Sequence, residues 1–359
     1  MIIKFSTYID ESKRFENYYL NLLSEEKAID ESGSNNDTKG KLHELLVGYH
    51  LNGGKHMDKH VDEYKNTPQQ AHDLLMKNVS EDQYKKIYDR AKETADHIKS
   101  ELKKSGKTIS HVHWTSKPGD IEASTSVPST QKQDASDIML HTVDKKGKKG
   151  YTGVSLKVSD EYSKHVPVSN AGQSAMYPGV DNDIKAHKEK LYKSFPELKN
   201  LTNEKLRKEW LKSDPERKDK INNINLAHRR VLTAKAHEHL LSMGNHELID
   251  HVKTHVLQSN PTPLQQAGHE HIRHTVYAGK KKEGGGNKFH SYDPAEHFKN
   301  ILDGSKKIHV TNPSGTTQLH YHYEDENGNL HHFASQRFKS NSNSDPFSSM
   351  KSSGIAAGD

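Results

Sequence analysis

Two residues of complementary chemistry, the carboxylic acid Asp137 and the amine Lys157, flank a stretch that reads as a β-hairpin: SDIMLHTVDKKGKKGYTGVSLKV, from Ser136 to Val158. Ile138, Met139 and Leu140 form an apolar run, and Asp144 to Gly150 form a Lys/Gly-rich turn. Val154, Leu156 and Val158 then alternate with Ser155 and Lys157, the pattern of a half-buried strand. Pairing of the two runs brings an acid and an amine to one end of a sheet. A half-buried lysine on a strand needs a partner to offset its lost hydration. A carboxylate can hold a divalent cation, and a partly desolvated lysine can act as a base or charge donor. The competing structural reading is a surface hairpin with a solvated aspartate and a snorkelling lysine.

At these residues the chain resembles the PD-(D/E)XK nuclease superfamily, whose members carry an acid at the start of one core strand and an acid-X-Lys tripeptide on the next. Asp137 matches the first acid, and Ser155-Leu156-Lys157 matches the tripeptide with serine in place of its acid. The resemblance runs from Gly40 to Tyr177. It implies an α+β chain with a small mixed sheet of restriction-endonuclease-like type and large helical insertions. It implies Mg²⁺ (or Mn²⁺)-dependent hydrolysis of DNA, endonucleolytic in character, with Ser155 at the position of the missing acid. Glu44 and Asp137 would hold the cation, the Leu156 carbonyl would add a ligand, and Lys157 would orient or activate water. Glu44 enters because an early helix in this superfamily often carries a glutamate that reaches the metal, and it could compensate for Ser155. Gln173 and Tyr177 match the Gln-X-X-X-Tyr element of the recombination-type branch, which helps position DNA.

The elements that must position these residues follow from periodicity. Leu42, Leu45, Leu46 and Tyr49 give Lys39–Asn52 an apolar helical face, stopped by Asn52-Gly53-Gly54. Residues 57–106 read as polar and helical, with Pro68 at a helix start and Tyr84 to Leu102 repeating at helix spacing. The i, i+4 pair His56 and His60 lacks an adjacent third ligand and reads as solvated surface. Ile109–Thr115 predicts the strand before the hairpin. Pro118-Gly119-Asp120 turns out of it, and 121–135 is a polar loop in which Asp120 is a further candidate acid. Residues 185–243 predict two polar helices, with Trp210 on the continuation of the first. From Lys185 to Lys235 there are 15 Lys/Arg against 7 Asp/Glu, more than the whole chain's excess, so this region predicts a phosphate-tracking surface with Arg229 and Arg230 among its contacts. The histidines between His237 and His274 are dense but lack a HEXXH arrangement. Gln318–Ala334 predicts a hairpin around Asn327-Gly328.

Composition sets the outer bounds. The chain has 359 residues, no cysteine, a formal net charge of +5 and a mean hydropathy of −1.00. Disulfides and cysteine-zinc sites are excluded. No apolar run approaches a membrane span and the N-terminus has no secretory core, so the expectation is no membrane partner. The low hydrophobic share suits one small core with loose ends. The expected organisation is a leader and linker at 1–36, a nuclease-like domain at 37–339 with helical insertions near 57–106 and 185–258, and a Ser/Asn/Gly-rich disordered tail at 340–359. The opening FSTYIDE resembles head-targeting leaders of internal proteins in large tailed phages, clipped after aliphatic-X-Glu, and Ile9-Asp10-Glu11, Leu23-Ser24-Glu25 and Ile29-Asp30-Glu31 fit that consensus. That resemblance implies a phage protein in the host cytoplasm or the virion interior, with packaged DNA as partner. The rival to a nuclease is a non-catalytic DNA-binding or internal virion structural protein that keeps the fold.

Overall fold

Gly53 and Gly54, with φ of 69° and 85°, stop the first helix where the sequence places its end, because left-handed backbone is open to glycine without a Cβ clash. The computed structural model describes residues 36–57, 67–115, 119–130, 133–159, 165–172, 176–280, 287–313, 316–340, 345–347 and 350–357. The leader, His60 and Gln173 lie outside the described residues. The chain separates into two compact units, Met1–Trp114 and Thr115–Asp359, where the sequence suggested one domain over 37–339.

The first unit contains helices α1 (Asn36–Leu51), α2 (Pro68–Met76) and α3 (Glu81–Lys104), then strand β1 (Lys107–Trp114). Pro68 stands in the first turn of α2, and capping boxes at Thr67 and Ser80 start α2 and α3. Leu42, Leu45 and Leu46 of α1 are buried, as are Tyr84, Ala91, Ala95, Ile98 and Leu102 of α3. Their three- and four-residue spacing turns one stripe of each helix inward.

The second unit opens with α4 (Asp120–Thr125), β2 (Ile138–Asp144), β3 (Lys149–Ser159) and β4 (His165–Gly172). Helices α5 (Val180–Ser194), α6 (Glu204–Lys212), α7 (Pro215–Leu241) and α8 (Asn245–His251) follow, then a π-turn at Val252–Val256 and the short α9 (Pro263–Gln266). The unit continues with β5 (His271–Lys280), β6 (Asn287–Tyr292), α10 (Pro294–His297), α11 (Lys299–Leu302), β7 (Ile308–Thr311), β8 (Gln318–Glu324), β9 (Leu330–Ser340) and β10 (Met350–Ala357). Strands β2 and β3 form the expected antiparallel hairpin, with Ile138 opposite Val154. Strand β3 then pairs in parallel with β5, and β5 antiparallel with β6. A parallel neighbour requires a long crossover, and the helical stretch from α5 to α9 lies within it. A second sheet, antiparallel throughout in the order β4-β10-β9-β8-β7, was not foreseen. Leu319, Tyr321, Phe333 and Phe338 from that sheet share a core with Leu232, Ala236 and Leu240 of α7 and Leu248 and Ile249 of α8.

The chain is thus mixed α+β with two small sheets. Two expectations change. Residues 185–243 are not two helices: Pro196 opens a 3₁₀ turn (Pro196–Asn200) that divides the first expected helix into α5 and α6, while the second is α7, opened by Pro215. The tail from 340, expected to be disordered on composition, supplies β10. The hairpin at Asn327-Gly328 forms as β8 and β9, with Gly328 at φ 80°. No helix among the described residues is long and apolar enough to cross a membrane.

Buried histidines make the first unit acid-sensitive. His43 on α1 is 2% exposed, and its Nε2 lies 3.3 Å from Thr94 Oγ1. That hydroxyl already donates its proton to the Arg90 carbonyl, so His43 must carry hydrogen on Nε2 and donate. Burial, then the charge of Arg90, lowers its pKa to about 3. His50 is lowered to about 4 by burial and by Lys92 and Lys99. As pH falls below 6.5 the unfolded chain takes up these protons before the folded one does, so stability present above that pH is progressively lost toward the folded values. At pH 5 one such imidazole costs about 2 kcal/mol. We expect the unfolding free energy of the first unit, followed by urea titration and Trp114 fluorescence, to fall between pH 6.5 and 5, and His43→Gln to flatten that fall by about this amount. Parallel pH profiles for variant and wild type would refute it.

Candidate active site

The backbone of the hairpin decides where the acid and the amine stand. The Asp137 N–H donates to the Val154 carbonyl at 2.8 Å, one residue before β2 begins. The Thr115 N–H and hydroxyl donate to the carbonyls of Asp137 and Ser136, at 3.1 and 2.7 Å. With its backbone fixed on both sides, Asp137 turns its Oδ2 to β3, where it accepts the Leu156 N–H at 2.6 Å. Ser155 Oγ lies 3.5 Å from the same oxygen and Lys157 Nζ 3.7 Å from it. Lys157 donates its shorter bond, 2.8 Å, to Ser155 Oγ. The structure therefore brings together Asp137, Ser155, Leu156 and Lys157.

Exposure separates this group from both a solvated surface pair and a core pair. The Lys157 and Asp137 side chains are 26% and 23% exposed. Ser155 is buried. Strand alternation explains why Lys157 falls on the Ser155 face while Leu156 packs inward. Ser155 holds the amine by a neutral hydrogen bond, and Asp137 is the carboxylate near it.

A second polar group lies directly beneath, and sequence reading missed it. Asp134 has no exposed surface. Its Oδ1 accepts the Ser136 N–H at 3.1 Å and the Ser136 hydroxyl at 2.5 Å. Its Oδ2 lies 3.4 Å from Nε2 of His271, a contact between wholly buried side chains that is electrostatic in geometry rather than an aligned hydrogen bond. His271 Nδ1 pairs with Thr262 Oγ1 at 2.7 Å. Gly153 makes room for this network: a Cβ there would run into Ser136 Oγ and stand 3.0 Å from His271 Nε2. The spacing Asp134-X-Ser136 is a legible turn signal, but nothing in the sequence points to His271 as its neighbour.

The other expected residues are placed less simply. Glu44 is a half-buried residue of α1 in the first unit. Asp120 is buried at the start of α4. Tyr177 is 9% exposed and donates its hydroxyl to Asp183 at 2.6 Å, so the structure gives it a packing contact. Asp183 also receives Lys235 at 2.6 Å. Arg229 is half-buried, donates to Ser340 Oγ at 2.7 Å, and has its pKa lowered by burial and by Arg337. Arg230 is exposed. Part of the basic excess over 185–235 is neutralised from outside that range, since Lys235 pairs with Asp183 and Arg207 with Asp345 at 2.8 Å. Among the described residues no three His, Asp or Glu groups converge to hold a cation.

Removing the buried carboxylate tests whether it holds the head of β2. Asp134→Ala leaves the Ser136 N–H and hydroxyl buried without their acceptor, at an expected cost of about 2–4 kcal/mol. Asp134→Asn keeps an acceptor oxygen and should lose less. Urea unfolding followed by circular dichroism reads both, and an Asp134→Ala loss under about 0.5 kcal/mol would show the network to be incidental.

Compared with protein-family models, curated proteins and solved structures, the chain matches none.

Proposed function

We propose that the second unit is a metal-dependent nuclease that hydrolyses phosphodiester bonds of DNA at Asp137 and Lys157, on a sheet of restriction-endonuclease-like type. The observation that carries the reading is the pairing of a one-quarter-exposed amine with a fixed carboxylate: Lys157 Nζ is 3.7 Å from Asp137 Oδ2 and parked on Ser155 Oγ. The mixed pairing of β2, β3, β5 and β6 is compatible with it. Magnesium is commonly bound through one or two carboxylates, with water and substrate phosphate oxygens completing its octahedron, so a single acid fits that ion. Asp137 would hold Mg²⁺ or Mn²⁺, with the Leu156 carbonyl as a neighbouring donor. A bound cation would neutralise phosphate charge. Lys157, tethered to a neutral hydroxyl, is positioned to meet the attacking water or the developing negative charge. The exposed Arg230 on α7, in the basic stretch, supplies the sequence-independent attraction to DNA.

Two measurements test this. Purified protein should nick supercoiled DNA with Mg²⁺ or Mn²⁺, and Asp137→Ala and Lys157→Ala should each cut that rate by about two to four orders of magnitude while keeping the thermal unfolding of the parent. Wild type that binds DNA but nicks it under neither metal would sink the enzyme and leave the rival, a DNA-binding or internal virion structural protein. Full activity in Lys157→Ala would mean that the chemistry lies elsewhere.

For binding, Arg230→Glu is the cleaner variant, because Arg229 is also a packing residue. It should weaken affinity for DNA of any sequence and reduce the slope of log K against log salt by about one to two. An unchanged slope would assign α7 to a merely solvated face.

A further inference from the structure

We propose that the outer face of β8 and β9 binds a divalent transition-metal ion of the zinc class through His320, His322 and His332. This inference is independent of the nuclease reading and concerns a different sheet. Leu319, Tyr321 and Phe333 turn into the core from these strands, so strand alternation sends His320 and His322 to the opposite face. The register alone would not complete the group. Strands β8 and β9 pair His320 with Ser335 and Tyr321 with Ala334, then shift between Tyr321 and His322 so that His322 faces His332. Without that bulge His322 would face Phe333. A bulge re-aims side chains in this way and costs ladder pairing, which makes it a feature to be explained rather than a defect.

Two of the three ring spacings match those of ligands to one metal, and the third is longer. Their centroids are 5.0 Å apart for His320 and His332, 5.4 Å for His322 and His332, and 6.4 Å for His320 and His322. A zinc ion about 2 Å from each ligating nitrogen lies about 3.2 Å from each ring centre, so tetrahedral ligation spaces the centres by about 5.2 Å. The donor atoms do not converge as they stand, and binding requires the rings to rotate; His332 is exposed and the other two half-exposed. Hydroxyls are placed to support the ligands. His322 Nε2 lies 3.2 Å from Thr311 Oγ1, and His332 Nε2 lies 2.9 Å from Ser335 Oγ. An imidazole that donates one N–H to such a partner presents its other nitrogen as the lone-pair ligand. Charge around the face is balanced: His309 Nε2 and Lys307 Nζ approach Glu324 at 2.7 and 3.9 Å.

The test is calorimetric titration of the full chain with Zn²⁺ alone, at pH 7.5 and 5.5. One equivalent should bind at the higher pH. His322→Ala and His332→Ala should each weaken that binding at least about tenfold, and pH 5.5 should do the same by protonating the ligands. His246→Ala, which removes an exposed histidine near Asp250 on α8, should leave it unchanged. His320→Ala serves as a further variant should one of the first two lose the parent's circular dichroism. Zinc binding in the folded ligand variants equal to wild type would overturn the proposal. So would uptake lowered equally by His246→Ala, because that marks scattered histidine binding.

Discussion

A carboxylate wholly removed from water, Asp134, is the constraint on which the geometry of the second unit turns. Burying an acid is costly unless its oxygens are satisfied; Asp134 Oδ1 accepts both the N–H and the hydroxyl of Ser136, while Oδ2 keeps an electrostatic contact with His271 rather than an aligned hydrogen bond. His271 is the first residue of β5 and stands opposite Tyr151 of β3. Its other nitrogen is bound by Thr262, which also caps α9, and Gln265 of that helix returns to the His271 carbonyl at 2.9 Å. One network therefore fixes the approach to β2, the start of β5 and the end of the crossover between the parallel strands. Asp137 begins where that network leaves the chain, and its distance from Lys157 is a consequence.

This explains which parts of the site were legible. The hairpin follows from a period of two over short segments, and Asp137, Ser155 and Lys157 meet because a tight hairpin makes sequence neighbours into spatial neighbours. Asp134 and His271 come together only through the long crossover and the parallel pairing it permits. Both sit in stretches that read as polar, one in a loop and one in a histidine-rich run. A sequence reader counts a polar residue as exposed by default, and the network reverses that default at Asp134, Ser136, Thr262 and His271 together, all of them buried. The helical region shows the opposite failure. Its first period runs on through Pro196, although a proline removes an N–H and restricts the residue before it.

The basic stretch was legible as charge but not as use. Arg207 is spent on Asp345, with two bonds of 2.8 and 2.9 Å between largely buried side chains. Burial alone would raise the Asp345 pKa, but Arg207 and the Phe347 N–H hold it below its ordinary value. His187 and His228 stack at 3.8 Å between α5 and α7, and burial lowers both their pKa values, that of His228 to about 4. The Arg207–Asp345 pair means that formal charge overstates what α5 to α7 can offer to phosphate, and the neutral histidines add nothing to it.

The C-terminal strand shows why composition misjudged the rest of the fold. Met350–Ala357 contains two serines, a lysine and a glycine, yet β10 lies between β4 and β9 with partners on both edges. Ser352 and Ser353 are 0% and 3% exposed. A core strand does not need large apolar side chains if its backbone is fully paired and its small polar groups are bonded. Tyr321 donates to Gln336 at 2.6 Å, and Gln336 donates to Ser352 at 2.7 Å, a buried chain that spans β8, β9 and β10. Strand β10 itself adds Ala356 to that core, and the large aromatic groups Tyr321, Phe333 and Phe338 come from β8 and β9, so low hydropathy in the tail was evidence about the tail alone. Strand β4 is the edge neighbour of β10, and in sequence it is the next strand after the one that carries Lys157. The last strand of the chain therefore helps to hold the segment that leaves the candidate site, and the second sheet depends on residues whose composition alone would assign them to no structure.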